Sequence, residues 1–324
     1  MNFRRLLPAL AVTLVALAGC SAASQAPSTA APAAPSPGAS TTAFPVSITH
    51  AYGQTTIPAE PKRVVTIGYN EGDFPLALGV VPVGERQVIG DFDWQNRPWA
   101  TAAKQGQQPQ VLSGSDLSIE QVAALRPDLI LGVYSFIDKA TYDRLSGIAP
   151  TIAPPTDGGK GAAATWQDQT RITGKALGRS DRAEQVIGEA ESKIKAVKDA
   201  NAAFAGRSMS MVFPIQGLYS IGADDLRTQL FAGLGFVPVP TSAALSPENL
   251  EPIDKDVVVA MGQTEQQFTA DPVFANMKAT KARHVIYPGG FETPFAGALG
   301  FSSPLSLPYA ADLIAPQLAQ AIAR

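Results

Sequence analysis

The most regular pattern of apolar and polar positions lies in the middle of the chain, between residues 180 and 200. Apolar residues recur there every three or four positions, with charged residues between them, which predicts an amphipathic helix. Gly178 is placed to end a preceding helix, and Ser180 is placed to cap the new one. A helix of about 22 residues would be roughly 33 Å long. Its apolar stripe consists of Ala183, Val186, Ile187, Ala190, Ile194 and Val197.

The segments before and after this helix resemble each other, which favours a link between two lobes over a surface helix of one large domain. Residues 118–132 and 246–260 place Ser, Glu and Asp at the same three positions, and each segment predicts a short helix followed by a buried strand. A second internal repeat is Leu-Gly-x-Val-Pro-Val, at residues 78–83 and again at 234–239. In the first repeat, the matched positions are Ser118, Glu120 and Asp128 in one copy and Ser246, Glu248 and Asp256 in the other.

Strand-like and helical stretches alternate on both sides of the long helix, which favours mostly parallel sheets covered on both faces. We therefore predict two α/β lobes of similar plan joined by one helix. The predicted boundaries are an N-terminal lobe at residues 44–165, a linking helical segment at 166–205 and a C-terminal lobe at 206–324. Within the first lobe, residues 80–83 are predicted as a strand and residues 84–114 as a long loop.

The N-terminus has the features of an export signal, with two arginines ahead of an apolar run at residues 6–18. The tetrapeptide Leu-Ala-Gly-Cys that ends at Cys20 resembles a bacterial lipobox. We therefore expect a signal peptide at residues 1–19 and acylation of Cys20, the only cysteine of the chain; the alternative is an ordinary signal beside an unrelated cysteine. Residues 20–43 are uncharged and rich in Ala, Pro, Ser and Thr, which predicts a flexible tether. No later stretch has about 18 consecutive apolar residues, so we expect lipid to be the only membrane attachment.

Charge and residue types argue against several classes of protein. The net charge is −3 and no basic stripe is present, which argues against nucleic acid as a partner. The two histidines, His50 and His284, are too few for a bare-metal site, which needs several His, Asp or Glu ligands. Neither histidine is placed as a general base, and no Gly-x-Ser-x-Gly turn or phosphate loop occurs, so an enzyme is not expected.

Six short motifs spread over most of the chain resemble one family. Together they are similar to the iron-siderophore substrate-binding lipoproteins of bacterial ABC importers, within the helix-hinged periplasmic binding proteins of the ferrichrome- and cobalamin-binding kind. The motifs are Pro61-Lys-Arg-Val-Val65, Leu78-Gly79 with Val81-Pro-Val-Gly84, Ser118-Ile-Glu-Gln with Leu125-Arg-Pro-Asp-Leu-Ile130, Leu145-Ser-Gly-Ile-Ala-Pro150, Ala176-Leu-Gly-Arg-Ser180 and Pro304-Leu-Ser-Leu-Pro-Tyr309.

The resemblance implies two mostly parallel α/β lobes joined by a single long helix, with the ligand in the cleft between them. It implies a monomer without a cofactor of its own that captures a ferric siderophore and passes it to an ABC importer permease. The protein would sit in the cell envelope, lipid-anchored at the outer face of the cytoplasmic membrane. Haem, held by a tyrosine, or cobalamin are alternative ligands, and an envelope scaffold without a small-molecule ligand is a third alternative.

In parallel sheets the ligand groups gather beyond the carboxyl ends of the strands, and this rule selects the candidate binding residues. Aromatic faces and arginines suit a flat-sided, often anionic ferric chelate, although core packing is the alternative for each position. The candidates are Tyr69, Asn70, Arg86, Trp94, Arg97, Trp99, Tyr134, Gln216, Tyr219, Phe291 and Phe295.

Glu120 and Glu248 hold matching positions in the two predicted lobes, each two residues after a serine. An acid in the first turn of a helix is favourable by itself, so helix capping is one interpretation. The resemblance implies another, in which the two glutamates dock onto arginines of the two permease subunits.

Overall fold

The protein is seen here as a computed structural model. Cys20, Gln216 and Glu248 lie outside the residues that it describes, and so does the predicted tether. The described residues belong to one compact unit. They are residues 44–88, 91–114, 116–155, 164–214, 218–240, 242–245 and 250–323.

A small hairpin and a parallel sheet form the first half of the described chain. The hairpin pairs β1 (Val46–His50) with β2 (Gly53–Ile57) in antiparallel fashion. The sheet has the order β5-β4-β3-β6-β7, every pair in it is parallel, and its three inner strands are buried throughout. Its strands are β3 (Val64–Thr66), β4 (Gly84–Arg86), β5 (Gln110–Leu112), β6 (Leu129–Leu131) and β7 (Thr151–Ile152).

The connections of this sheet differ from the prediction around residue 80. The strand predicted at residues 80–83 is wrong, because the backbone N–H of Val80 donates to the carbonyl of Pro75 at 2.8 Å and closes the helix before it. The strand begins at Gly84 instead, so the predicted long loop contains two strands of the sheet and two 3₁₀ turns, Trp94–Asn96 and Pro98–Ala100. The helices of this lobe are α1 (Asp73–Ala77), α2 (Ile119–Ala124) and α3 (Lys139–Ser146).

Two consecutive helices link the halves, α4 (Trp166–Ala176) and α5 (Ser180–Ala200). The predicted break at Gly178 is confirmed, although α5 already begins at Ser180 and Arg179 occupies the cap position. With 21 residues, α5 is about 32 Å long. The predicted stripe is buried from Ala183 to Ile194, and this burial holds the helix against both halves. Among the helices of the described residues, none has both the length and the apolar character needed to cross a bilayer.

The second sheet is mixed rather than uniformly parallel. Strand β8 (Ser208–Phe213) pairs in parallel with β10 (Val237–Pro238) and β12 (Val257–Ala260), and β12 continues in parallel to β13 (Val285–Ile286). On the side away from β12, beyond its short pairing with β10, β8 pairs antiparallel with β9, which pairs antiparallel with β11. The last two strands, which the sequence patterns did not indicate, are β9 (Leu218–Ile221) and β11 (Ala243–Leu245).

Six helices cover the second sheet within the described residues. The long helix α11 lies close to the end of the chain, and α10 comes directly before it. Thr293 starts α10, since its hydroxyl accepts from the backbone N–H of Ala296 at 3.3 Å. The helices are α6 (Gln229–Gly233), α7 (Glu265–Thr269), α8 (Pro272–Ala275), α9 (Lys278–Lys281), α10 (Pro294–Phe301) and α11 (Ser306–Ile322).

The repeated aspartate of segments 118–132 and 246–260 makes equivalent backbone contacts in the two lobes. Asp128, just before β6, accepts from the backbone N–H groups of Lys62 and Arg63, both at 2.8 Å. Asp256, just before β12, accepts from the backbone N–H and the hydroxyl of Ser208, at 2.8 and 2.7 Å. Each aspartate therefore ties the start of one central strand to its neighbour. The predicted fold class of two α/β lobes joined by a long helix is confirmed, with the mixed second sheet as its qualification.

Candidate ligand-binding cleft

A cavity of about 440 Å³ lies between the two lobes, within the usual range for small-molecule sites. Its walls are mainly aromatic and come from both sheets, at the ends of the strands where the parallel-sheet rule places ligands. The side chains that define it are Tyr69, Phe92, Phe213, Arg227, Phe291 and Phe301.

Tyr69 is the polar side chain of the first-lobe wall, and the buried Arg86 stands directly behind it. The Arg86 guanidinium donates to the Tyr69 hydroxyl at 3.0 Å and to the carbonyl of Ile67 at 3.4 Å. It also lies 4.2 Å from the centre of the Tyr69 ring. Among the described residues no carboxylate lies within salt-bridge distance of Arg86, so its charge is uncompensated beside the cavity. That charge is suited to a charge-assisted hydrogen bond with an anionic ligand.

Arg227 supplies a second guanidinium, from the opposite lobe, and this one is paired. Its Nε donates to Asp225 Oδ1 at 2.8 Å and its terminal nitrogen to Asp225 Oδ2 at 2.6 Å. The guanidinium also lies 4.9 Å from the centre of the Phe213 ring. Asp225 thus fixes the plane of Arg227 and holds it against the Phe213 ring. Sequence reasoning missed Arg227 because strand β9, which leads to it, was not predicted.

Exposed aromatic rings surround the entrance. Phe136 is 64% exposed, has a left-handed φ of 53°, and packs its ring 4.8 Å from Tyr134 and 6.0 Å from Tyr69. On the other side Phe291 stacks on Phe213 at 5.7 Å. Burial raises the pKa of Tyr134, and the charge of Asp225 raises it further, so the Tyr134 hydroxyl stays protonated and able to donate. The entrance therefore offers large apolar faces with hydroxyl groups at their edges.

A buried ion cluster stands behind the first-lobe wall; we call Asp73, Glu85 and Arg97 the Asp73 cluster. Arg97 is fully buried, and its guanidinium donates to Asp73 at 2.7 Å and to both oxygens of Glu85 at 3.2 Å. Burial lowers the pKa of Arg97, but the two carboxylates outweigh that effect and leave the pKa raised. Arg97 therefore remains charged.

The Asp73 cluster also positions groups on both sides of the cleft. Asp73 Oδ2 accepts from the indole N–H of Trp99 and from the hydroxyl of Ser303, each at 2.7 Å. Trp99 stacks on Phe92 at 5.4 Å and nearly parallel, and Phe92 lines the cavity. Ser303 belongs to the second half of the chain, so one carboxylate joins the two halves directly behind the cavity.

The structure places the predicted binding residues in two groups. Tyr69 and Phe291 line the cavity, the buried Arg86 donates to the Tyr69 hydroxyl, Tyr134 packs against Phe136 at the entrance, and Tyr219 is partly exposed on β9. Trp99 is only half-buried and acts on the cavity through Phe92. Gln216 lies outside the described residues.

Four predicted ligand contacts are corrected to structural roles, because their side chains are buried. Arg97 donates side-chain hydrogen bonds to Asp73 and Glu85 of the Asp73 cluster, and Asn70 donates to the carbonyl of Phe301 at 3.1 Å. Trp94 packs below Arg97, and Phe295 belongs to the core of the second lobe.

The histidines take no part in the cleft. His50 Nε2 is hydrogen-bonded to the Thr55 hydroxyl at 2.8 Å within the hairpin, and His284 Nδ1 lies 3.0 Å from the carbonyl of Asp256. In the described part of the chain, no group of three or more His, Cys, Asp or Glu side chains is arranged to hold a metal ion.

Glu120 lies far out on the surface of the first lobe. Its side chain is 80% exposed and its nearest cation is Arg144, at 3.5 Å. Hydrogen bonds from its own backbone N–H and from Ser118 lower the pKa of Glu120, so its charge is secure at neutral pH. Both the capping and the docking interpretation remain compatible with this position; Glu248 lies outside the described residues.

Comparison with known proteins gives a consistent result. A family model described as periplasmic binding protein matches residues 64–289. The chain is 28% identical over 174 residues to the probable siderophore-binding lipoprotein YfiY of Bacillus subtilis, covering 53% of this chain and 50% of the relative. The chain thus spans about half the length of the first curated relatives that it matches.

Two solved structures share the fold over nearly their whole length. The periplasmic solute binding protein of Mycobacterium smegmatis is 31% identical, with a TM-score of 0.74 and coverage of 86% of this chain and 99% of the other. PiaA of Streptococcus pneumoniae in complex with ferrichrome is 26% identical, with a TM-score of 0.75 and coverage of 86% and 98%.

Proposed function

Because this chain belongs to the periplasmic binding protein family, we propose that it captures a ferric siderophore and delivers it to an ABC importer of the cytoplasmic membrane. The observation that carries the proposal is the cleft, where Tyr69 and Arg227 lie among aromatic walls from both lobes and Arg86 supports Tyr69 from behind. Hydroxamate and catecholate chelates of Fe(III) present flat, partly apolar and often anionic faces, which such walls suit. Relatives named for siderophores or solved with ferrichrome support this ligand class.

The direct test is tryptophan fluorescence of the purified protein without its lipid, titrated with ferric siderophores, haem and cobalamin. Trp99 lies one ring behind the cavity, stacked on Phe92, so a ligand that absorbs light should quench its emission. We expect saturable quenching by at least one ferric siderophore. Quenching by haem or cobalamin alone would change the ligand class, and the absence of any response would favour a ligand-free envelope scaffold.

Replacing Arg86 by alanine should weaken an anionic ferric chelate by about 1.5–3 kcal/mol, the range for a hydrogen bond to a charged group. The Arg227→Ala change should add to the loss, since it removes the guanidinium of the opposite wall. Titration of each variant measures the effect, with Arg182→Ala on the exposed face of α5 as the control. Unchanged affinity in the Arg86→Ala, Arg227→Ala double variant would place the ligand outside this cleft.

We expect Cys20 to be acylated and to hold the protein on the membrane, as its lipobox-like surroundings indicate. Replacing Cys20 by alanine should release the protein into the soluble fraction, because one diacylated terminus supplies the only anchor expected from the sequence. Mass spectrometry of the N-terminal peptide checks the modification directly. An unmodified Cys20 in the membrane fraction would contradict it.

Glu120 and Glu248 are expected to dock the two lobes onto the two halves of the permease. A protein with two similar lobes that meets a two-fold partner would place one acid over each half. Exposed rim charges act mainly on orientation and association rate, so ligand affinity should survive the Glu120→Ala, Glu248→Ala double change while uptake is lost. Normal uptake in the double variant would leave both residues as helix caps.

A further inference from the structure

Glu71 is a fully buried carboxyl group that the proposed binding site does not use directly. Its Oε2 accepts from the backbone N–H of Gly68 at 2.8 Å, and its Oε1 accepts from the backbone N–H of Val133 at 2.5 Å. Gly68 follows β3 and Val133 follows β6, and these two strands are neighbours in the first sheet. One side chain therefore spans the ends of two adjacent strands.

The two segments that Glu71 holds carry Tyr69 of the first-lobe wall and Tyr134 of the entrance. Tyr69 comes directly after Gly68, and Tyr134 directly after Val133. The backbone N–H of Tyr69 donates to the carbonyl of Tyr134 at 3.1 Å, so the segments are also tied to each other. The approach at Gly68 is close, since a Cβ there would lie 2.3 Å from Glu71 Oε2. A shift of the Glu71 carboxyl would thus be passed to both tyrosines.

The charged groups around Glu71 are engaged elsewhere. On α1, Asp73 binds Arg97; on β4, Glu85 binds Arg97, while Arg86 donates to Tyr69 and to the carbonyl of Ile67. The titratable group of the β6 segment is the Tyr134 hydroxyl, whose pKa is raised. Burial raises the pKa of Glu71 to about 8, against the opposing effect of its two N–H donors, so its ionisation changes near neutral pH.

We propose that Glu71 is a positioning residue whose carboxylate form holds Tyr69 and Tyr134 in the arrangement that binds the ligand. A carboxylate offers an acceptor on each oxygen, which matches the two N–H donors that it faces. A protonated carboxyl turns one oxygen into a hydroxyl whose proton meets an N–H group, so one of the two hydrogen bonds is weakened or lost. This inference rests on the proposed function, because it assigns Glu71 a role in that same cleft.

The ligand-free protein tests whether Glu71 holds the two tyrosine segments; we call its two hydrogen bonds to Gly68 and Val133 the Glu71 clamp. In a pH titration followed by amide NMR, the Gly68 and Val133 resonances should shift with one common midpoint, and the Tyr69 and Tyr134 amides should follow them. The Glu71→Gln variant should show no such midpoint, whereas Glu189→Gln, on the exposed face of α5, should behave as the wild type. The proposal would be overturned if the Gly68 and Val133 resonances shifted with pH while the Tyr69 and Tyr134 amide resonances did not.

Ligand affinity provides the second test, with ferrichrome as the probe. Wild-type affinity should rise with pH around the midpoint of the amide titration, and Glu71→Gln should bind about tenfold more weakly, the order of one lost hydrogen bond to a charge, with a flat profile. Equal affinity of Glu71→Gln and wild type at the alkaline end would refute the role. If Glu71→Gln does not fold, the coincidence of the two wild-type midpoints decides instead. Failure of the wild type to bind ferrichrome would count against a hydroxamate ligand. The amide titration of the ligand-free protein would then be the test of the Glu71 clamp.

Discussion

Replacing Arg97 by methionine is expected to lower the free energy of unfolding by about 3–5 kcal/mol, the cost of removing one partner from a buried ion group. Methionine fills much of the same space but leaves the buried Asp73 and Glu85 carboxylates without the cation that pairs with both of them. Urea unfolding followed by circular dichroism measures the loss. The matched control is Arg171→Met, which removes an exposed pair with Glu184 and should cost less than about 1 kcal/mol.

A further variant separates charge from packing in the Asp73 cluster. If the loss comes from uncompensated charge, adding Asp73→Asn and Glu85→Gln to Arg97→Met should recover part of the stability, because neutral groups cost less to bury. A loss in Arg97→Met below about 1 kcal/mol would show that water or a rearranged side chain satisfies the carboxylates.

Replacing Glu71 by glutamine is expected to flatten the pH dependence of stability between pH 4.5, the ordinary pKa of a glutamate, and about 8, the pKa to which burial raises this group. Within that window the native Glu71 keeps a proton that the unfolded chain has released. Its contribution to stability is therefore complete below pH 4.5 and is lost as the pH rises through about 8. The slope approaches about 1.4 kcal/mol per pH unit, and glutamine has none.

Unfolding curves of the wild type and Glu71→Gln at a series of pH values give the difference between their free energies of unfolding. Burial lowers the pKa of His50, which makes stability rise with pH, but this contribution is common to both proteins and cancels in the comparison. Parallel stability profiles for the wild type and Glu71→Gln would contradict the raised pKa. The folded state favours the protonated form of Glu71, whereas the proposed Glu71 clamp needs its carboxylate form. As the pH rises, the Glu71 contribution to stability should therefore fall while ligand affinity rises.

The fold could be predicted from the sequence where a local pattern carries its own physical meaning. The stripe from Ala183 to Ile194 repeats at helical spacing, so it identified α5 without knowledge of its neighbours. Asp128 and Asp256 recur at the same place in two similar segments, and each proves to cap a central strand. The antiparallel strand β9 and its edge neighbour β11 have only four and three residues, too few for any periodicity to distinguish them from loops.

The binding site was less predictable, because exposure depends on which strands become neighbours. Arg86 and Arg97 stand in the same predicted loop, yet one ends β4 beside the cavity and the other turns inward to Asp73 and Glu85. Two acids 12 and 24 residues away decide that difference, and their convergence on Arg97 requires the sheet order. Arg227 was missed for the same reason, since its place follows from β9.

The hydrogen bond between Asp73 and Ser303 has a consequence for how the chain is made. It joins residues 230 positions apart, and the bond from Asn70 to Phe301 beside it spans 231. A polypeptide is synthesised from its N-terminus, so the first lobe emerges with these polar groups awaiting partners at the far end. Closing so long a loop is slow compared with local contacts. The first lobe therefore reaches its final packing only after the last helices have arrived, and premature termination before residue 300 would leave the back of the cleft open.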